Sequence, residues 1–189
     1  MRSSGIFVTP DRSDKIGVTR MFDVGEYIVC GRYGVCRVKE TGPVHITGAP
    51  RKRLYYTLVP VYDSNSRAYV PVDSEKIIMR PVISGEQANE LVDHINDIDA
   101  LWIQDEKKRE AAFKEALYKC DCREWIKIIK TIYRRRQDRI AQGKKVTAGD
   151  ERYLHMAQDR LYGELAVALG MKKEEVEAYI IGRAEAPEP

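Results

Sequence analysis

No stretch of this chain strings together the roughly 18 apolar residues that a membrane-spanning helix needs, so a transmembrane segment is not expected. The first 20 residues, MRSSGIFVTPDRSDKIGVTR, lack the apolar core, about 7–15 residues long, of a secretory signal. They read as a disordered leader or upstream extension, with Met21 as an alternative first residue, and a cytoplasmic location is expected. Histidine is scarce: His45, His94 and His155 are scattered over a loop, a first helix and a third helix. None neighbours a nucleophile–base arrangement, and no Gly-rich phosphate loop is present, since GRYG at 31–34 is a tight turn. An enzyme is therefore not expected. Cysteine is sparse and unpatterned: Cys30, Cys36, Cys120 and Cys122 match no paired C-x-x-C zinc spacing and have no histidine pair beside them. They read as reduced thiols, with Cys30 and Cys36 packed as small apolar groups. No metal and no cofactor is expected.

What is present is charge, unevenly spread. The 189 residues carry 32 basic and 29 acidic side chains, a formal net charge of +3. By segment, residues 21–83 hold 9 basic and 6 acidic groups, and residues 84–100 hold none and 5. Residues 101–145 hold 14 and 7, or +7, and residues 146–189 hold 5 and 9, or −4. Positive charge confined to one segment attracts polyanions better than the net value suggests.

Two periodicities divide the chain near residues 82–85. From Met21 onward, EYIVC, GVCRVKE, RLYYTLVPVY, RAYVPVD and KIIMRPV are short, rich in β-branched and aromatic residues, and separated by turn residues. DSNS at 63–66 reads as a hairpin loop and TGPVHITGAP at 41–50 as a longer connection. Five such strands predict a small, strongly bent sheet or barrel over 21–83. Val29, Val35, Val38, Tyr56, Leu58, Val70 and Val72 are its expected core. From Ser84 the period becomes 3.6. Ser84 and Gln87 form a capping box, followed by Leu91, Val92 and Ile95. Asp121 caps a second helix, answered by Glu124, with Trp125, Ile128, Ile129 and Ile132 on one face and Gly143 at its end. Thr147 opens another, striped by Leu154, Ala157, Leu161, Leu165 and Ala168, and Gly170 closes it. KKEEVEAYII supplies a last short helix, and the tail 182–189 is disordered by composition. The fold class is α+β: a small sheet, then an all-α domain of about four to five helices over 84–181.

The +7 segment offers Lys107, Lys108, Arg109, Lys127, Lys130, Arg134, Arg135, Lys144 and Lys145. If the helices bearing them pack antiparallel, they form one cationic surface suited to phosphates. The alternative is a solvated face laced by pairs such as Glu110–Lys114. Trp125 belongs to the isoleucine stripe and reads as core. Trp102, between acidic NDID and basic EKKR, has two readings. It is core, by the general tendency of indoles to be buried, or it is exposed and wedges against bases at a distorted step. An RNA- or ribosome-binding module, pairing a small β domain with basic helices, is a competing function; the strands lack an aromatic stacking motif of the RNA-recognition type.

The stretches MFDVGEYIVCGRYGVCRV, YVPVDS and KTIYRRRQDRIAQGKKVTAGDERYLHMAQDRLYGELAVALG resemble the CarD family of bacterial transcription regulators, in order and at the right distance, from Met21 to about Ile181. The resemblance implies a Tudor-like N-terminal domain, shared with the transcription-repair coupling factor, that binds the RNA polymerase β subunit. It implies a helical domain that touches promoter DNA at the upstream edge of the bubble through minor-groove and phosphate contacts, largely without sequence specificity. There a tryptophan wedges in and stabilises the open complex. It implies no catalysis, no cofactor, no small-molecule substrate and no membrane partner, in a nucleoid-associated protein. The polymerase surface maps to the edge strand at Arg67 and Tyr69 and to Val44–Arg53. One family arginine falls at Tyr69, and another falls near His45, where Arg51, Lys52 and Arg53 are available instead. Counting back from Cys120–Asp121 puts the family tryptophan at Glu106. Trp102 is one helical turn earlier, so either the helix is extended by a turn or Trp102 is not the equivalent residue.

Overall fold

A computed structural model describes residues 21–31, 33–44, 53–103 and 105–184. The leader, His45, Arg51, Lys52 and the last five residues lie outside them. Among the described residues, five antiparallel strands form one sheet: β1 (Tyr27–Cys30), β2 (Gly34–Gly42), β3 (Tyr55–Pro60), β4 (Ala68–Pro71) and β5 (Met79–Pro81), in the order β4-β3-β2-β1-β5. The β1–β2 turn closes because Gly34 takes φ +68° while the Tyr33 N–H donates to the Cys30 carbonyl at 2.8 Å. A register shift between Val38 and Glu40 bends β2. The sheet stays open, with β4 and β5 as its two edges.

The pleat sends alternate residues to opposite faces, and here both faces of β1 and β2 are covered. Ile28, Cys30, Cys36 and Val38 face the concave interior with Phe22, Tyr56, Leu58, Ala68 and Val70. Val29 and Val35 point the other way and join the helical core. The seven residues expected in one β core are thus divided between two, and Val72 is only partly buried. The thiols of Cys30 and Cys36 are pushed up to about 12, chiefly by burial, as the small-apolar-group reading requires.

Five α-helices follow among the described residues: α1 (Gly85–Asp93), α2 (Arg109–Tyr118), α3 (Cys122–Ala141), α4 (Ala148–Leu169) and α5 (Val176–Ala184). Their ends obey local capping chemistry. Ser84 and Gln87 make the reciprocal box of α1, and Thr147 accepts from the Asp150 N–H at the start of α4. Gly170 ends α4 in the left-handed conformation. Asp121 accepts from the Arg123 and Glu124 N–H groups at the start of α3. Glu124 does not return the bond to the cap; its carboxylate holds Lys119 at 3.0 Å and Lys127 at 2.7 Å.

Trp125, Ile128 and Ile132 of α3 are buried with Phe113 and Leu117 of α2 and Leu161 and Leu165 of α4. The seam between sheet and helices is polar as well as apolar. Glu164 of α4 is fully buried and receives both Nη groups of Arg80 of β5, one at 2.7 Å. It also accepts the Ile83 N–H at 3.1 Å and the Cys122 thiol at 3.1 Å. Arg160 of α4 donates to the carbonyls of Gly31 at 2.6 Å and Leu117 at 3.2 Å. The Tyr62 hydroxyl donates to the Gly163 carbonyl at 3.0 Å. Among the described residues, no helix is long and apolar enough to cross a membrane.

Candidate nucleic-acid interface and protein-docking edge

Between α1 and α2 the chain runs over the N-terminal half of α3, and this connection carries Trp102. A single 3-10 turn occupies Ile95–Asp97 and another occupies Glu106–Lys108; residues 101–103 belong to no helix. The one-turn extension of the helix is therefore absent, so Trp102 is not the positional equivalent of the family tryptophan, and a role for it rests on its own exposure. Leu101 and Ile103 both pack against the helical core, and Trp102 between them is 90% exposed. Two flanking side chains turned inward leave the middle one turned out. Trp125, the other indole, is fully buried in the stripe where its spacing put it. The two tryptophans are thus segregated: one is core and the other faces solvent.

The expected cations divide in the same way. Arg109 at the start of α2 and Arg135 of α3 converge on Asp150, in the first turn of α4, at 3.1 and 3.7 Å. Asp150 is itself buried. This triangle locks α2, α3 and α4 together, and a buried charge flanked by two guanidiniums is structurally committed. Lys127 is held by Glu124. Lys130 puts its ammonium on the carbonyls of Ile95 (2.6 Å), Asn96 (3.2 Å) and Ile98 (2.7 Å), and burial holds it below the usual lysine range. Lys107, Lys108, Arg134, Lys144 and Lys145 are exposed. Lys107 and Lys108 immediately precede α2, Arg134 lies one turn beyond Lys130 on α3, and the lysine pair occupies the α3–α4 turn.

Sequence reasoning did not anticipate Arg136, which is exposed beside Arg134 and carries the same charge. Nor did it anticipate the Asp150 and Glu164 anchors. Their signal was available only weakly: Asp150 sits beside Glu151 in an ordinary acidic first turn, and Glu164 is one acid in a small and apolar helical stretch.

Among the described residues, β4 is a free edge of the sheet. Tyr69 projects outward from its middle, and Arg67 directly precedes the strand and is exposed. Arg53 donates to Asp73 at 2.9 Å across the start of β3, and that bond holds the Asp73 carboxyl below its ordinary range. A short exposed edge with outward aromatic and arginine side chains has the chemistry for strand addition plus acidic-group recognition. Of the expected Val44–Arg53 surface, residues 45–52 lie outside the described residues. Among the described residues, no group of three histidine, cysteine, aspartate or glutamate side chains is arranged to hold a metal ion.

Two family models match the chain. The CarD-like/TRCF RID domain matches residues 22–83, and the CarD C-terminal domain matches residues 95–181. A search of curated proteins gives no match. The two models fall in order on the sheet and on the helices, covering the free β4 edge and the Trp102 surface respectively. The chain belongs to the CarD family of transcription regulators, whose N-terminal domain is of the RNA-polymerase-interacting type.

Proposed function

We propose that the sheet docks on the RNA polymerase β subunit through β4 while the helices set Trp102 and its neighbouring cations against promoter DNA at the upstream edge of the bubble, stabilising the open complex. The observation that carries this reading is the 90% exposed indole held between two anchored residues. An indole is a large, rigid, amphipathic side chain of the kind enriched at the centre of binding surfaces. A DNA step already opened and widened is a partner for it, because every base has a face on which an indole can stack.

Docking raises the local concentration of the helical surface above the promoter, so weak DNA affinity suffices. Only the opened promoter offers the indole its contact, so the protein shifts the closed–open equilibrium by its differential affinity. A differential of about 1.4 kcal/mol changes that ratio tenfold, within the roughly 1–3 kcal/mol that one stacked aromatic supplies. The 5 acids and no bases of residues 84–100 repel phosphates on one side of Trp102. Lys107 and Lys108, which follow Trp102 in the chain, and Arg134 on α3 are the exposed cations available to phosphates.

Two measurements test the parts. Replacing Lys107, Lys108 and Arg134 together with alanine should lower the slope of log binding constant against log salt by about 2–3. An unaltered slope means that this face is merely solvated. Arg67→Glu should weaken pull-down of RNA polymerase severalfold while circular dichroism stays native, because the side chain is exposed and outside the core. Unchanged pull-down moves the docking surface away from β4.

A further inference from the structure

We infer that Lys130 and Thr131, two consecutive residues of α3, are positioning residues for the Trp102 indole rather than phosphate contacts. The inference rests on the DNA reading above and deepens it. Their bonding is specific to one stretch of chain. The Lys130 ammonium has three N–H groups and no acceptor, and it meets three carbonyls: Ile95 at 2.6 Å, Asn96 at 3.2 Å and Ile98 at 2.7 Å. No N–H remains to offer a phosphate without releasing one of them. The Thr131 hydroxyl is equally committed. It donates to the Lys127 carbonyl at 2.6 Å and accepts the Leu101 N–H at 2.8 Å. Together the two side chains tie residues 95–101 to α3 at four backbone groups, and the last tie falls on the residue immediately before Trp102.

The stretch needs such ties. Its 3-10 turn is only three residues long, and residues 101–103 have no helical ladder of their own. Irregular chain at a surface has backbone groups that water can claim, and its ordering is opposed by conformational entropy. An indole on such a chain would sample many directions, and each would dilute the one that fits a widened groove. With the Leu101 N–H fixed, and Leu101 and Ile103 packed on the core, the indole is held outward before any DNA arrives. Preorganisation of that kind raises affinity without adding a contact.

The electrostatic setting fits the same role. Lys130 is partly buried, Asp97 and Asp99 lie close enough to favour its charge, and Arg134 close enough to oppose it. The carbonyl ends of the 3-10 turn and these two carboxylates compensate the ammonium locally. It therefore adds little to the field that the exposed cations present to DNA.

Lys130→Met and Thr131→Val are the variants, with Thr131→Ser as the conservative control that keeps the hydroxyl. Amide hydrogen exchange in the free protein should show faster exchange at Leu101 in Thr131→Val, with wild-type protection restored in Thr131→Ser. Lys130→Met should leave the salt slope of DNA binding within about 0.3 of wild type, whereas loss of a true phosphate contact lowers it by about 1. In open complexes, both variants should shorten the lifetime toward that of Trp102→Ala. Added to Trp102→Ala, neither should shorten it further, since a positioning residue has nothing left to position. Unchanged Leu101 protection in Thr131→Val, a slope reduced by about 1 in Lys130→Met, or full additivity with Trp102→Ala overturns the inference. Failure of the DNA reading looks different: Trp102→Ala itself then has a wild-type lifetime, while exchange at Leu101 still reports whether the ties hold.

Discussion

Glu164→Ala is expected to cost about 3–5 kcal/mol of folding stability, the range for breaking a buried ion pair from one side. For a chain of this size that lowers the melting temperature by roughly 6–20 °C. The cost is large because four polar groups lose their partner at once. Arg80 would keep its charge at a largely covered site with only neutral partners left to it: the carbonyls of Cys120 and Pro81, the Cys122 sulfur and the face of the Trp125 ring. The Ile83 N–H and the Cys122 thiol would also lose their acceptor. Alanine would leave a void as well, since Glu164 is fully buried between α3, α4 and β5. Replacing Arg80 and Glu164 together with apolar residues of similar volume should recover most of the loss, because the desolvation of both charges then disappears. A thermal melt followed by circular dichroism reads all three proteins. A melting point for Glu164→Ala within about 2 °C of wild type would mean that the seam between sheet and helices is held by its apolar contacts alone.

Trp102→Ala should shorten the lifetime of open complexes by up to about tenfold, the equivalent of 1.4 kcal/mol, at promoters the protein affects. Pull-down of RNA polymerase and the melting temperature should stay unchanged, because the side chain contributes to neither the β4 edge nor a core. Truncation at a 90% exposed position removes no packing, and surface changes of this kind fall within about 0.5 kcal/mol of wild-type stability. The combination of intact docking, intact fold and lost lifetime is specific to a contact made only with opened DNA. A wild-type lifetime in the variant would assign the wedge to another residue.

The sequence was most legible where structure is local. Ser84, Thr147 and Gly170 mark helix ends by bonds that span a few residues, and each does what its position suggests. The five strands and the α+β order were readable from period and turn residues alone. Long-range commitments were not. Arg80 and Glu164 are 84 residues apart, and nothing in either neighbourhood points to the other. Arg109, Arg135 and Lys130 count as cations in any tally of the +7 segment. Their charges are nevertheless directed inward, onto Asp150 and onto backbone carbonyls. The division of Val29 and Val35 from the rest of the β core was hidden for a related reason. Alternation shows that two faces exist, and only the docked helices show that both are buried. Trp102 illustrates the limit most directly. Leu101, Trp102 and Ile103 are all apolar, so composition alone left Trp102 open between core and exposed wedge. In the folded chain only the outer two turn inward.

Site-specific crosslinking measures the central claim most directly. A photoreactive side chain placed at position 102 should, with RNA polymerase and promoter DNA both present, form crosslinks clustered at the upstream edge of the melted region. Those crosslinks should vanish when polymerase is omitted or when the promoter is held closed. Crosslinks spread along the duplex independently of polymerase and of opening, or crosslinks to polymerase with none to DNA, would contradict it.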